Sequence, residues 1–242
     1  MGQDNQPDYY PFINKLMTTL RLRDMSGSLR QSSYGFPRPF ITVARDPGSG
    51  GKPIAKKVAE KLGFLYVDEQ IVDQIASSTK QRKNIIRHVD EKSRNAIEDI
   101  IHSILNKEYV DENVYISELI KVILAYAHQG HVVILGRAAN FICPFAKGLH
   151  VNVTASYNER LRRAMDYEGF DMKKAKQVIA KVEKERADFV NQYFKRNVRN
   201  NMAYDLTINT AYFSIDDSAQ IIINAFYKKF SDFHRLKAVL TR

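Results

Sequence analysis

Gly48, Gly50, Gly51 and Lys52 follow directly on the apolar, β-branched run Phe40-Ile41-Thr42-Val43-Ala44, and the helix-forming segment Ile54–Gly63 comes next. Glycine lets backbone N–H groups turn against an anion with no Cβ in the way. The start of a helix adds unpaired donors and a partial positive charge. The chemistry of this stretch is phosphate binding, and the plain alternative is an ordinary loop entering a helix. Set against the pattern G-x-x-x-x-G-K-[S/T], Lys52 takes the lysine position, Asp46 stands at the first glycine and Pro53 replaces the Mg²⁺-binding hydroxyl. Proline is accommodated in a first helical turn. The helix survives the change, and the hydroxyl does not.

Other residues have types and positions that suit the same chemistry. Asp68 closes the second strand-like run, Phe64–Val67, where its carboxylate either contacts an acceptor or the magnesium shell, or caps the helix beginning at Glu69. Arg137 follows Gly136 at the end of a third run. A guanidinium there suits bidentate phosphate recognition, with a surface salt bridge as the alternative. Arg160 and Arg163 share a helix face after the fourth run. Further on, residues 173–199 carry nine Lys/Arg, including Arg186, Lys195, Arg196 and Arg199, against the acids Glu183, Glu185 and Asp188. Such a segment binds nucleic acid, closes over nucleotide phosphates or forms a solvated face. Phosphoryl transfer depends mostly on positioning and electrostatic stabilisation, so a cationic lid is chemically sensible.

Five short apolar runs must position these groups: Phe40–Ala44, Phe64–Val67, His131–Leu135, Leu149–Val153 and Asp205–Asn209. Continuous apolarity is expected of parallel strands covered on both faces. Between the second and third runs lie helical stripes, Ile97, Ile100, Ile101, Ile104 and Leu105, then Ile116, Leu119, Ile120, Ile123 and Leu124. The alternation predicts a doubly wound parallel sheet with ligands at the carboxyl ends of the strands. Residues 1–38, with the amphipathic piece Phe12–Leu20, read as a partly flexible N-terminal extension, and 39–242 as the domain. The formal charge of +10 favours a polyanionic partner. No apolar run is long enough to span a membrane, no secretory signal is expected, and the single Cys143 fits a reducing cytoplasm. His88, His128, His131 and His150 form no metal-ligand pattern, and no Ser-centred nucleophile elbow is found.

Together these segments resemble the cytidylate kinase-like proteins, a branch of the nucleoside monophosphate kinase group. The resemblance runs through Ala44–Lys52 with Ile54–Gly63, Phe64–Asp68, Val132–Asn140, Val151–Arg163, Glu185–Asp188 and Tyr204–Thr210. It implies a three-layer α/β phosphate-loop kinase fold with a five-stranded parallel sheet, a helical acceptor-binding insertion and a basic lid. It also implies an ATP-dependent, Mg²⁺-assisted phosphotransferase acting on a CMP-like nucleoside monophosphate or a related small acceptor. Where the family reads Gly-Arg-Asp after the third strand, this chain has Gly136-Arg137-Ala138. Aligned from the helix Ala55-Lys56-Lys57, Gly51 falls at the catalytic lysine's place and Lys52 is offset by one.

Residue reading and resemblance together place Lys52, Arg137 and Arg186 in catalysis. Arg45, Gly48, Ser49, Gly50, Gly51, Lys52, Arg196 and Arg199 fall on the ATP side, and Asp68, Arg137 and Asp188 on the acceptor side. Asp68 is the expected Mg²⁺ contact. The alternatives are a nucleotide-binding module without turnover and, ranked last, a nucleic-acid-binding protein using the basic segment with Tyr193 and Phe194.

Overall fold

The computed structural model of the chain describes residues 36–87, 89, 91–104 and 114–231. The N-terminal extension up to residue 35, with Phe12–Leu20, and the positions of His88 and Leu105 lie outside the described residues. Five strands form one parallel sheet in the order β2-β3-β1-β4-β5. They are β1 (Phe40–Arg45), β2 (Leu65–Val67), β3 (Val132–Leu135), β4 (Gly148–Thr154) and β5 (Leu206–Asn209). Every strand lies within one or two residues of its expected run, because continuous apolar stretches bounded by glycine or polar residues are a local signal.

The helices are α1 (Gly51–Leu62), α2 (Glu69–Ser77), α3 (Thr79–Ile86), α4 (Glu91–Ile104), α5 (Val114–Gln129), α6 (Ala139–Ile142), α7 (Tyr157–Glu168), α8 (Met172–Phe194) and α9 (Ile215–Lys229). Alternation along the strands divides the core between two faces. Ile41, Val43, Val133, Leu135, Val151 and Ile208 pack under α1 and α9. Phe40, Val67, Val132 and Ile134 meet α2, α5 and α6, with Phe36 in the same cluster. The three-layer α/β architecture is the expected one. Within the helical insertion between β2 and β3, Ile97, Ile101, Ile116, Leu119, Ile120, Ile123 and Leu124 are buried, as their spacing predicts. Each such side chain contributes about 1.5–3 kcal/mol.

β1 is central, in register with β3 from Ile41↔Val133 to Val43↔Leu135 and with β4 from Phe40↔Gly148 to Arg45↔Val153. The chain leaves β1 for β2 on one side and later leaves β3 for β4 on the other. A crevice therefore opens at the carboxyl end of β1. α7 and α8 project as a hairpin with a small core of its own, Leu161, Ala164, Ala175 and Ile179. Among the described residues no helix is long and apolar enough to cross a membrane.

Candidate phosphate and acceptor site

Between β1 and α1 the chain turns through Asp46-Pro47-Gly48-Ser49-Gly50, with Gly48 at φ 76° and Gly50 at φ 79°. Side chains with a Cβ are strained in that region. Gly48 has a second reason to be glycine: a Cβ there would stand 2.8 Å from the Arg160 carbonyl oxygen. The helices α2, α3, α7, α8 and α9 each start on a side-chain cap, whereas α1 starts on Gly50 with none. Among the described residues, nothing accepts from the amides of Gly48, Gly50, Gly51 or Lys52. Ser49 differs, because its amide (3.2 Å) and its Oγ (2.8 Å) both donate to the Asp46 carbonyl. It closes the turn and leaves the neighbouring donors open at the helix start, where an anion is favoured.

The bend is held from outside. Asp46 accepts from Thr154 Oγ1 at 2.6 Å through Oδ2, and its amide donates to the Val153 carbonyl. Thr210, just past β5, donates from Oγ1 to the Ser49 carbonyl at 2.7 Å. Arg163 in turn donates to Thr210 Oγ1 (2.9 Å) and to the Thr210 carbonyl (2.8 Å). Arg160 is buried, donates to the Ala155 and Pro47 carbonyls and pairs with Glu183 of α8 at 2.7 Å. The arginine pair expected on one face of α7 thus fastens the bend to β5 and to the lid helix.

Asp68 takes the capping role and a further one. Its Oδ1 accepts from the Gln70 and Ile71 amides at 3.2 Å, and its Oδ2 lies 3.2 Å from Lys52 Nζ. Burial resists its ionisation, but the Ile71 amide, the Lys52 ammonium and the Gln70 amide outweigh that, and its carboxyl sits below the usual carboxylate value. Lys52 itself is 59% exposed.

After β3, Gly136, Arg137 and Ala138 all have positive φ, at 82°, 48° and 56°. This turn throws Arg137 back over α2, where its Nη2 pairs with Asp73. Tyr115 donates to the other Asp73 oxygen at 2.9 Å. Burial, followed by Asp73, pushes the Tyr115 phenol up to about 12. Arg137 Nε is buried without a hydrogen-bond partner among the described residues, so the guanidinium keeps donor capacity.

Arg186 of the lid is partly buried, with no ion pair among the described residues. Burial and the nearby Arg45 pull it down to about 10, opposed by Asp46, Glu69 and Tyr204. Asp188, two residues on, pairs with Lys184 at 2.6 Å on the exposed face of α8 and is not brought to the site. Arg196 and Arg199 are exposed after α8. Phe194 is buried and Tyr193 packs on the same cluster, so neither is presented for stacking.

Sequence reasoning did not single out Asp73, Glu69, Thr154 or Thr210. Thr154 and Thr210 act through partners more than 100 positions away and carry no local signal. Glu69 and Asp73 did carry one, an i,i+4 acid pair on a single helix face. Each takes one arginine from a strand end, Arg45 and Arg137 respectively. Among the described residues, no cluster of three His, Cys, Asp or Glu side chains is placed to hold a metal ion.

Residues 40–212 match the model of the cytidylate kinase-like family. A cytidylate kinase from Archaeoglobus fulgidus is 26% identical over 187 residues, covering 76% of this chain and 93% of the relative. A solved structure, an uncharacterized protein from Eubacterium ventriosum, superposes with a TM-score of 0.54 at 20% identity, covering 78% of this chain and 98% of that one.

Proposed function

The chain belongs to the cytidylate kinase-like family, and from that membership we propose that it transfers the γ-phosphoryl group of ATP to a CMP-like nucleoside monophosphate or a related small acceptor in the cytoplasm. One observation carries the reading: among the described residues nothing accepts from the amides of Gly48, Gly50, Gly51 and Lys52, at a helix start with no side-chain cap. A polyphosphate satisfies those donors, and the αL glycines let it approach the backbone.

In this reading the bend wraps the donor phosphates and Lys52 adds charge at the rim. Arg137, oriented by Asp73, holds the acceptor's phosphate. Arg186 closes from the lid to neutralise charge that grows in the transition state. Mg²⁺, when bound, would neutralise the phosphate oxygens. Pro53 offers it no hydroxyl and both Asp68 oxygens already have protein partners, so Asp68 would reach it through water. In the same reading the catalytic domain begins no later than Phe36, which packs in the core.

A second reading keeps nucleotide binding and drops turnover. It is favoured by Lys52, which is held by Asp68 and not by the bend. Assay of ATP with a panel of nucleoside monophosphates, beside calorimetry with ATP, separates the two. Phosphoryl transfer to one of them supports the enzyme. Binding of ATP with no transfer to any supports the module, and absence of binding removes both.

A further inference from the structure

Two glycines on different elements make room for one arginine. Arg45 ends β1, and its stem passes against Gly51, where an added Cβ would overlap the arginine Cβ and stand 2.8 Å from its Cγ. Its guanidinium then lies on Gly136, where a Cβ would overlap Nη1 and stand 3.2 Å from Cζ. The side chain is 14% exposed and pairs with Glu69. The stem therefore passes the start of α1, where among the described residues nothing accepts from the amides, and the guanidinium ends between Gly136 and Glu69. Glu69 already pairs with this cation, and an anion at the open helix start would be a second partner for it. Arg186 of α8 feels the charge of Arg45, whose repulsion adds to burial in lowering its pKa. Lys52, by contrast, is 59% exposed and pairs with the buried Asp68.

We infer that Arg45, and not Lys52, is the main cation that the glycine bend presents to the phosphate chain, with Arg186 as its counterpart from the lid. The inference rests on the phosphotransferase reading for its purpose. Its physical content, a polyphosphate held between two guanidinium groups and a helix start, is independent of turnover. A guanidinium suits this place because its planar fork bridges two phosphate oxygens while a third N–H keeps Glu69.

The test uses the full chain and two readouts: calorimetry with inorganic tripolyphosphate, and turnover with ATP and the monophosphate panel. Arg45→Gln is expected to weaken tripolyphosphate binding about 10-fold or more and to lower turnover further. Lys52→Gln is expected to weaken binding less than Arg45→Gln does. Glu69→Gln separates a binding role from a structural one. If Arg45 serves only to pair with Glu69, the two variants lose affinity together; if Arg45 holds phosphate, Glu69→Gln binds as tightly as the parent or more tightly. Should Arg45→Gln fail to fold, Arg45→Lys takes its place and must weaken binding more than Lys52→Arg. A larger loss from the Lys52 variants, or equal losses from Arg45→Gln and Glu69→Gln, overturns the assignment. A parent that binds tripolyphosphate without phosphorylating any acceptor sinks the phosphotransferase reading alone, and the order of affinities still decides Arg45.

Discussion

Arg137 and Arg45 leave neighbouring strand ends, and each meets an acid one turn apart on α2. The pairing orients both guanidinium groups without using all their donors. If Arg137 holds the acceptor phosphate, Arg137→Ala removes a charged, partly buried contact worth roughly 3 kcal/mol, and turnover falls by ~10²-fold. Steady-state kcat/KM with the best monophosphate measures it. Asp73→Asn leaves the arginine in place but frees its orientation, so a smaller loss is expected, mainly in KM. Unchanged kinetics in both variants would reduce Arg137 to a salt bridge. At this scale the sequence was partly legible. Gly136-Arg137 stood out because glycine beside arginine at a strand end is a local pattern, whereas the acid each arginine selects depends on where α2 packs.

The glycine bend and the helical hairpin act as elements. Gly48 and Gly63 both have positive φ, 76° and 68°. A Cβ at Gly63 meets nothing within 4 Å, whereas one at Gly48 meets the backbone of α7. Gly63→Ala is expected to cost about 1–2 kcal/mol of stability with ATP affinity unchanged. Gly48→Ala carries the same strain and also displaces the bend from α7, so ATP affinity drops with it. Thermal melts beside calorimetry separate the two; equal affinities would deny the bend its role. Within the hairpin, Arg160 of α7 pairs with Glu183 of α8. Glu183→Gln breaks a charged hydrogen bond, lowers stability by about 2 kcal/mol and raises KM for ATP more than it lowers kcat. A kcat loss with KM intact would deny this pair a role in ATP binding. The basic character of α8 was plain in the sequence, but its division of labour was not. Lys184–Asp188 and Lys181–Glu185 are local i,i+4 pairs on a solvated face, while Arg186 between them turns inward.

Across the whole molecule, polar chemistry also lies far from the crevice. His150 is fully buried in β4, with Nδ1 2.6 Å from Thr42 Oγ1 and its ring against Phe145 and Phe40. Its amide donates to Asp205, which is also held by Lys229. Burial pulls the imidazole from 6.5 down to about 3, opposed by Asp205 and reinforced by Lys229. The folded state thus resists a proton that the unfolded chain accepts. Stability is highest above pH 6.5 and falls as pH drops toward about 3, by at most about 1.4 kcal/mol per pH unit. Urea unfolding between pH 7 and pH 4 should show this slope, and His150→Gln should flatten it. An equally steep acid limb in the variant would assign the titration to another group.

What the sequence alone determined was the order and class of the elements, the glycine bend between β1 and α1 and the family likeness. Apolar runs, glycine punctuation and helix spacing are properties of neighbours along the chain. Only the tertiary structure decided which partner each cation takes: Lys52 with Asp68, Arg45 against two glycines and Glu69, Arg163 and Thr210 clamping Ser49. Charges choose partners through space over a few ångströms, and the segments that meet there lie up to 161 positions apart.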